Sequence, residues 1–249
     1  MNNLTPYSPP WFQKQKIGSL KSAEVVLPVV LDFTSPARVV DVGCGVGVWL
    51  EACAKLGVKD ILGIDGKYVN KADLHIPEKN FIVKDLNGAF TIEQTADLVL
   101  CLEVGEHLSK ESAPILVKSL TNIAPVILFS AAIPKQGGTN HLNEQWPDYW
   151  ADLFKEKGYI PVDCVRRRVW QNPNVEYWYA QNCIVFVKEA TLSSYPKLQK
   201  EVECGYSTAL SLVHPRKYFY ALTPPPSFLF RVKRKIKTVW RNFFVSRKS

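Results

Sequence analysis

The chain has no acidic residue beyond position 230, no pair of cysteines at CxxC spacing and no apolar run of membrane-spanning length. Each absence excludes something. Of the 31 Lys and Arg, eight fall in the last 19 positions: Arg231, Lys233, Arg234, Lys235, Lys237, Arg241, Arg247 and Lys248. The other 23 balance the 23 Asp and Glu, so residues 1–230 are neutral and the net +8 belongs to one tail. A uniformly basic, DNA-coating surface is thereby excluded. The six cysteines, at 44, 53, 101, 164, 183 and 204, have neither zinc-ligand spacing nor the density of a disulfide framework. They read as small buried residues kept reduced in a cytoplasm. The longest apolar stretch, Val25 to Leu31, is interrupted by Pro28 and is far shorter than the ~20 residues of a membrane span. The opening MNNLTPYSPPWFQKQK has no apolar core of the signal-peptide kind. We expect a cytoplasmic chain, soluble or peripheral at the inner face of the membrane.

What is present is ordinary in bulk. A chain of 249 residues, 47% hydrophobic and 22% charged, can bury a full core and is not wholesale disordered. No internal repeat is visible. Residues 1–16 read as an irregular arm, and 18–33 as a covering helix with a break near Pro28. From 37 onward, short apolar runs alternate with helical patterns. Strands are expected at Ala37–Val42, Asp60–Ile64, Asn80–Lys84, Ala96–Leu102 and Val126–Ser130. Helices are expected at Val48–Leu56, Lys110–Ile123 and Trp146–Lys157. Such alternation implies βαβ units and a parallel sheet covered on both faces. Tyr159–Val165 and Cys183–Lys188 then read as an antiparallel edge pair, because Arg166–Asn182 is too polar and aromatic for a crossover helix. The expected fold is α/β, a seven-stranded, mostly parallel sheet with an antiparallel last strand and helices on both faces. The expected division is 1–34 arm and covering helix, 35–190 main domain, 191–249 C-terminal extension.

The strongest local signal is Val39-Val40-Asp41-Val42-Gly43-Cys44-Gly45-Val46-Gly47. A buried strand runs into a glycine turn and then a helix. Glycines there adopt backbone angles closed to other residues and let a ligand approach the main chain. A dinucleotide site would want GxGxxG. This turn reads GxGxG, and a carboxylate beside it suits a cationic amino-acid end better than a pyrophosphate. The second strand ends at Asp65, followed by Gly66. An acid there can accept both hydroxyls of a ribose. After the third strand, the Asp85 carboxylate can accept a hydrogen bond from an exocyclic adenine amine. These acids converge on the crevice where open parallel sheets bind ligands. NAD binding is the rival reading.

The run VVDVGCGVG, Asp65 and Asp85 resemble the class I S-adenosylmethionine-dependent methyltransferases, over roughly residues 35–190. The antiparallel strand pair is also a feature of that family. The resemblance implies a Rossmann-like fold and S-adenosylmethionine as cofactor. Gly43, Cys44 and Gly45 would lie against its methionine part, Asp41 near its amino group, Asp65 at the ribose and Asp85-Leu86 at the adenine, with Gly66 and Glu103 also among the cofactor-binding residues.

The fourth strand is followed by Glu103-Val104-Gly105-Glu106-His107. In a helical turn, 103, 106 and 107 would share one face. Three readings stay open. His107, with His141, is a general base for an acceptor hydroxyl. Alternatively Glu103, Glu106, His107 and His141 hold a divalent cation such as Mg²⁺, which lowers the pKa of adjacent hydroxyls. ExxEH with a later His resembles the metal motif of small-RNA 2′-O-methyltransferases and of ubiquinone-pathway O-methyltransferases. Third, the segment is a plain helix start. The loop from Pro134 to Trp150 combines His141, Asn143, Glu144 and Gln145 with Trp146, Tyr149 and Trp150. Polar groups beside flat rings suit a saccharide, and also a nucleobase. The segment resembles one in bacterial methyltransferases of surface-glycan pathways. Trp150 is expected to pack on the sheet, Trp146 less so. Arg166–Tyr179 is a second acceptor wall or a dimer contact.

Residues 226–248 place Leu229, Val232, Ile236, Val239, Trp240 and Phe243 at helical spacing among Lys and Arg. A basic amphipathic helix of this kind can lie on an anionic membrane, bind nucleic acid through phosphates, or dock on its own domain. The expected activity is O-methyl transfer to a saccharide or another hydroxylated small molecule, free or lipid-linked. The alternatives are a metal-assisted RNA 2′-O-methyltransferase and a membrane-associated scaffold with a vestigial pocket. Nucleic acid is the less favoured partner, and oligomeric state is left open.

Overall fold

Seven strands form one sheet in the order β3-β2-β1-β4-β5-β7-β6. They are β1 (Arg38–Val42), β2 (Asp60–Asp65), β3 (Phe81–Val83), β4 (Leu98–Leu102), β5 (Val126–Ser130), β6 (Tyr159–Val162) and β7 (Ile184–Lys188). The computed structural model describes residues 9–205 and 209–222, with side chains from Ile17 on. Parallel pairing runs from β3 to β5, and β7 is antiparallel to both β5 and β6. That is the expected architecture.

Strand alternation builds two cores. Val39, Leu98, Leu100, Val126 and Leu128 point to one side of the sheet. Val40, Val42, Val99, Cys101, Ile127 and Phe129 point to the other. Helices α1 (Pro9–Thr34) and α2 (Val48–Lys55) cover the first side through Val26, Leu27, Val30, Trp49 and Leu50. Helices α3 (Ala113–Thr121) and α4 (Pro147–Lys155) cover the second through Leu116, Leu120, Trp150 and Phe154. A strand buried on both faces must be apolar throughout, which is why β4 and β5 read as unbroken apolar runs.

Three local expectations are corrected. The helix before β1 does not break at Pro28 but continues through it. Pro28 and Glu24, whose carbonyl loses its i+4 donor, both lie on the exposed side. Water can satisfy that carbonyl while Ala23, Val26, Leu27 and Val30 stay packed. The arm was expected to be irregular to residue 16, yet α1 begins at Pro9. The linker between β6 and β7 holds two short helices, α5 (Arg166–Val169) and α6 (Tyr177–Asn182). They form because their polar groups find partners inside the fold. Arg166 is buried against Asp163 at 2.6 Å, and the Tyr179 hydroxyl meets Ser19 at 3.2 Å. Arg167 and Arg168 pair with Glu201, so all three arginines are engaged within the domain.

Beyond residue 190, α7 (Pro196–Glu203) packs on β6 and α1 and buries Leu198. One compact unit runs to His214, and a second begins at Pro215 with α8 (Pro215–Leu222). The basic segment 226–248 lies outside the described residues. Among the described residues, no helix is long and apolar enough to cross a membrane. Of the cysteines, Cys204 is exposed and the other five are buried and unpaired.

Candidate active site

The turn after β1 is built on three left-handed glycines, with φ of 79° at Gly43, 55° at Gly45 and 83° at Gly47. A side chain costs energy in that region. At Gly43 it would also collide, since an added Cβ would lie 2.3 Å from Val104 Cγ2. The segment that follows β4 therefore sits directly against the turn. At Gly45 an added Cβ would meet nothing within 4 Å among the described residues, so the main chain there faces away from the packed core. Gly43 and Cys44 donate their N–H groups to the Ile64 carbonyl, which ties the turn to β2.

Asp41 and Asp65 lie below the turn and are each 2% exposed. Burial, and then the charge of Asp65, push the Asp41 carboxyl well above the usual range. Asp65 accepts from the Gly45 N–H and the Gly66 N–H, both at 2.6 Å, and from the Tyr68 hydroxyl. Two buried acids beside a glycine turn fit a ligand that carries positive charge, such as the ammonium and sulfonium of S-adenosylmethionine. Asp85, by contrast, is exposed and accepts from the Asn87 backbone at 3.0 Å and its side-chain amide at 3.2 Å. Those bonds hold its carboxyl below the usual range. Leu86 next to it is buried.

Glu103 follows β4 with φ 55°, a left-handed angle rare for a non-glycine residue. Its N–H donates to the Ser130 carbonyl at 2.9 Å. Its carboxylate accepts from Gln136 Nε2 at 3.0 Å and Asn182 Nδ2 at 3.1 Å. Burial raises its pKa against these bonds. Glu106 is fully buried, and among the described residues neither of its carboxyl oxygens has a hydrogen-bond partner. Burial, and then the Glu103 charge, raise it well above the carboxylate range.

His107 and His141 meet edge to face with ring centroids 4.9 Å apart. Ligand atoms of Glu106, His107 and His141 all lie within 4.8 Å of one another. Glu103, expected in the same metal set, is not in that group, a correction with a geometric cause. The segment does not start a regular helix at 103. It turns left-handed there and forms only a 3-10 turn over Gly105–His107, so the i, i+3, i+4 alignment fails and Glu103 bonds Gln136 and Asn182 instead. Burial, and then the His141 charge, hold the His107 imidazole below its ordinary pKa. His141 Nδ1 contacts Glu144 Oε1 at 2.9 Å, and its ring lies against Gly138. Glu144 also accepts the Lys135 and Gly137 N–H groups, at 2.7 and 2.8 Å, and so fastens the loop.

Gln136, Gln181 and Asn182 were not anticipated. Gln136 Oε1 accepts from Gln181 at 3.2 Å and Asn182 at 3.0 Å, so the amides that hold Glu103 hold one another. Only the position of Gln136, in the polar loop after β5, hinted at a role. As expected, Trp150 is buried at 2% exposure, under Gly105, while Trp146 stays 42% exposed. Of the three arginines in the segment expected as a second wall, Arg166 lies inside the domain, and Arg167 and Arg168 pair with Glu201.

A parallel sheet with a reversed β7, a glycine turn after β1 and acids at the ends of β1 and β2 define the Rossmann-like class of S-adenosylmethionine-dependent methyltransferases. The family described as a methyltransferase domain matches residues 20–161, more than half of the chain. The chain belongs to that family. A ubiquinone biosynthesis O-methyltransferase of Rhodopseudomonas palustris (strain BisB18) is 31% identical over 129 residues, covering 48% of this chain and 45% of that protein. The chain thus matches about half the length of that relative. The magnesium protoporphyrin IX methyltransferase of Synechocystis PCC 6803, solved with bound SAH, superposes with TM-score 0.52 at 20% identity, over 71% of this chain and 87% of that one. Human N-acetylserotonin methyltransferase, in complex with SAM, gives TM-score 0.50 at 15% identity, over 72% and 55% of the two chains. These two similarities bear on the fold.

Proposed function

We propose that the chain is an S-adenosylmethionine-dependent O-methyltransferase acting on a saccharide or another hydroxylated small molecule. The observation that carries this reading is the His107–His141 pair, 4.9 Å apart, just beyond the residue after β4 that abuts Gly43. Asp41, Asp65 and the main chain at Gly45 would hold the cofactor. When bound, it supplies a methyl group made electrophilic by a sulfonium. An imidazole kept neutral by burial can take the proton of an acceptor hydroxyl as its oxygen becomes the nucleophile. Positioning supplies the rest of the rate enhancement. The O-methyltransferase name of the Rhodopseudomonas palustris relative supports oxygen as the methylated atom. A labelled-methyl screen against nucleotide sugars, lipid-linked glycans, phenols and RNA tests the reading. Transfer to the small hydroxylated acceptors is expected. Transfer to RNA alone would overturn it.

A second reading of the chemistry has its own observation. Glu106, His107 and His141 form a group of metal-ligand geometry, and Glu106 is buried with both oxygens unpartnered among the described residues. A divalent cation there, Mg²⁺ or a metal better suited to imidazole, would satisfy that carboxylate and acidify an adjacent hydroxyl. Activity lost to a chelator and restored by added Mg²⁺, Mn²⁺ or Zn²⁺ would establish it. Activity indifferent to chelation leaves the imidazole base.

The same proposal assigns the basic segment 226–248 to an anionic membrane surface, on its sequence pattern alone. Deleting residues 226–249 should abolish binding to anionic vesicles while leaving methyl transfer to a soluble acceptor intact.

A further inference from the structure

Building on the acceptor reading above, we infer that a second cleft seats a sugar ring of the acceptor other than the methylated one. The acceptor is then an oligosaccharide or glycoconjugate of at least two rings. The cleft has a volume of about 450 Å³ and is lined by Gln145, Trp146, Asp148, Tyr149 and Ser211. That size falls in the ~300–1,000 Å³ range of small-molecule sites.

Its lining has the chemistry of sugar recognition. Trp150 and Phe154 of α4 are 2% and 0% exposed, yet Trp146 at the start of that helix leaves 42% of its surface in water. A flat ring kept at the wall of a cleft offers its face to the C–H face of a pyranose, and Tyr149 adds a second ring with a hydroxyl. Asp148 and Gln145 supply acceptors for sugar hydroxyls. Ser211 donates to one oxygen of Asp148, which leaves the carboxylate's other oxygen as an acceptor. Among the described residues no Lys or Arg lines the cleft, and the one charged side chain there is acidic. A polynucleotide would need its phosphates neutralised, so the lining favours a neutral saccharide.

The cleft and the transfer point are built from different residues but are tied together. None of its five residues belongs to the Glu106, His107 and His141 group. Gln145 Nε2 donates to Asn143 Oδ1 at 2.9 Å, and the Asn143 N–H donates to the Glu106 carbonyl at 3.0 Å. Two hydrogen bonds thus connect the cleft to the reacting end. On this inference a ring stacked on Trp146 is a neighbour of the ring that meets the imidazoles, and not that ring itself.

The test uses the full-length protein and mono-, di- and trisaccharides of glucose, N-acetylglucosamine, mannose and rhamnose. Binding is read by saturation-transfer NMR, which needs no turnover. Di- or trisaccharides of at least one sugar should bind, and Trp146→Ala and Asp148→Asn should each weaken them about tenfold or more. Monosaccharide binding and S-adenosylmethionine calorimetry should not change, which also shows that the variants fold. The cleft assignment is overturned if no di- or trisaccharide binds, if both variants stay within twofold of wild type, or if one ring and three rings are weakened equally. The labelled-methyl screen reports separately on the O-methyltransferase reading.

Discussion

Gly45 and Asp65 are joined across the ligand turn, the Gly45 N–H donating to Asp65 Oδ2 at 2.6 Å. The acid that ends β2 thereby shapes the turn that ends β1. Both of its oxygens are engaged, because Oδ1 accepts from Gly66 and Tyr68. One carboxylate is thus a structural tie as well as the expected ribose acceptor.

Asp65→Ala should lower S-adenosylmethionine affinity by about tenfold or more, since one hydrogen bond to a charged group contributes ~1.5–3 kcal/mol. Titration calorimetry measures this directly. Unchanged affinity would place the ribose elsewhere.

Tyr68 competes for the same carboxylate, and its side chain is otherwise largely exposed, at 74%. Tyr68→Phe removes the hydroxyl without altering the ring. Cofactor affinity should rise a few-fold. A fall would show that the hydroxyl helps to hold the ligand.

Gly43→Ala should destabilise the domain by more than the ~1–2 kcal/mol of a left-handed non-glycine residue, because its Cβ would lie 2.3 Å from Val104 Cγ2. Adding Val104→Ala should recover the steric part and leave the backbone part. Thermal unfolding of the single and double variants separates the two. Full recovery in the double variant would mean that the backbone angle costs nothing.

Glu201 ties α7 to Arg167 and Arg168 of α5. Burial raises its pKa, but the two guanidiniums outweigh this and hold it below the usual range. A depressed folded-state pKa stabilises the fold above the unfolded value of about 4.3, and the contribution is lost as pH falls through the folded value. Wild type should therefore lose more stability than Glu201→Gln between about pH 5 and pH 3. Urea unfolding across that range checks it, and parallel curves would show that the pair contributes nothing.

Much of the fold was legible because its signals are local. The glycines of the turn are required by backbone angles set within a few residues, and β1, β4 and β5 announce their burial by composition. The Glu106, His107 and His141 grouping was legible too, although one member lies in another loop. Glu103 was misplaced because helical spacing was extended over a residue that turns left-handed. Pro28 was read as a break because its neighbours on α1 were weighed without the core they pack into.

By itself the sequence determined a parallel, doubly covered sheet, a glycine turn flanked by acids, and a neutral domain with a basic tail. These follow from period, residue size and charge along a short stretch of chain. Tertiary structure alone decided what the polar residues do. Glu103 meets Gln136 across 33 positions and Asn182 across 79. Arg166 spends its charge inside the domain on Asp163 and on the carbonyls of Gln181 and Leu210. Ser211 reaches Asp148 across 63 positions to close a cleft at the start of α4. A buried polar group must find a partner wherever packing brings one, and no pattern of neighbours in the chain specifies which partner that is.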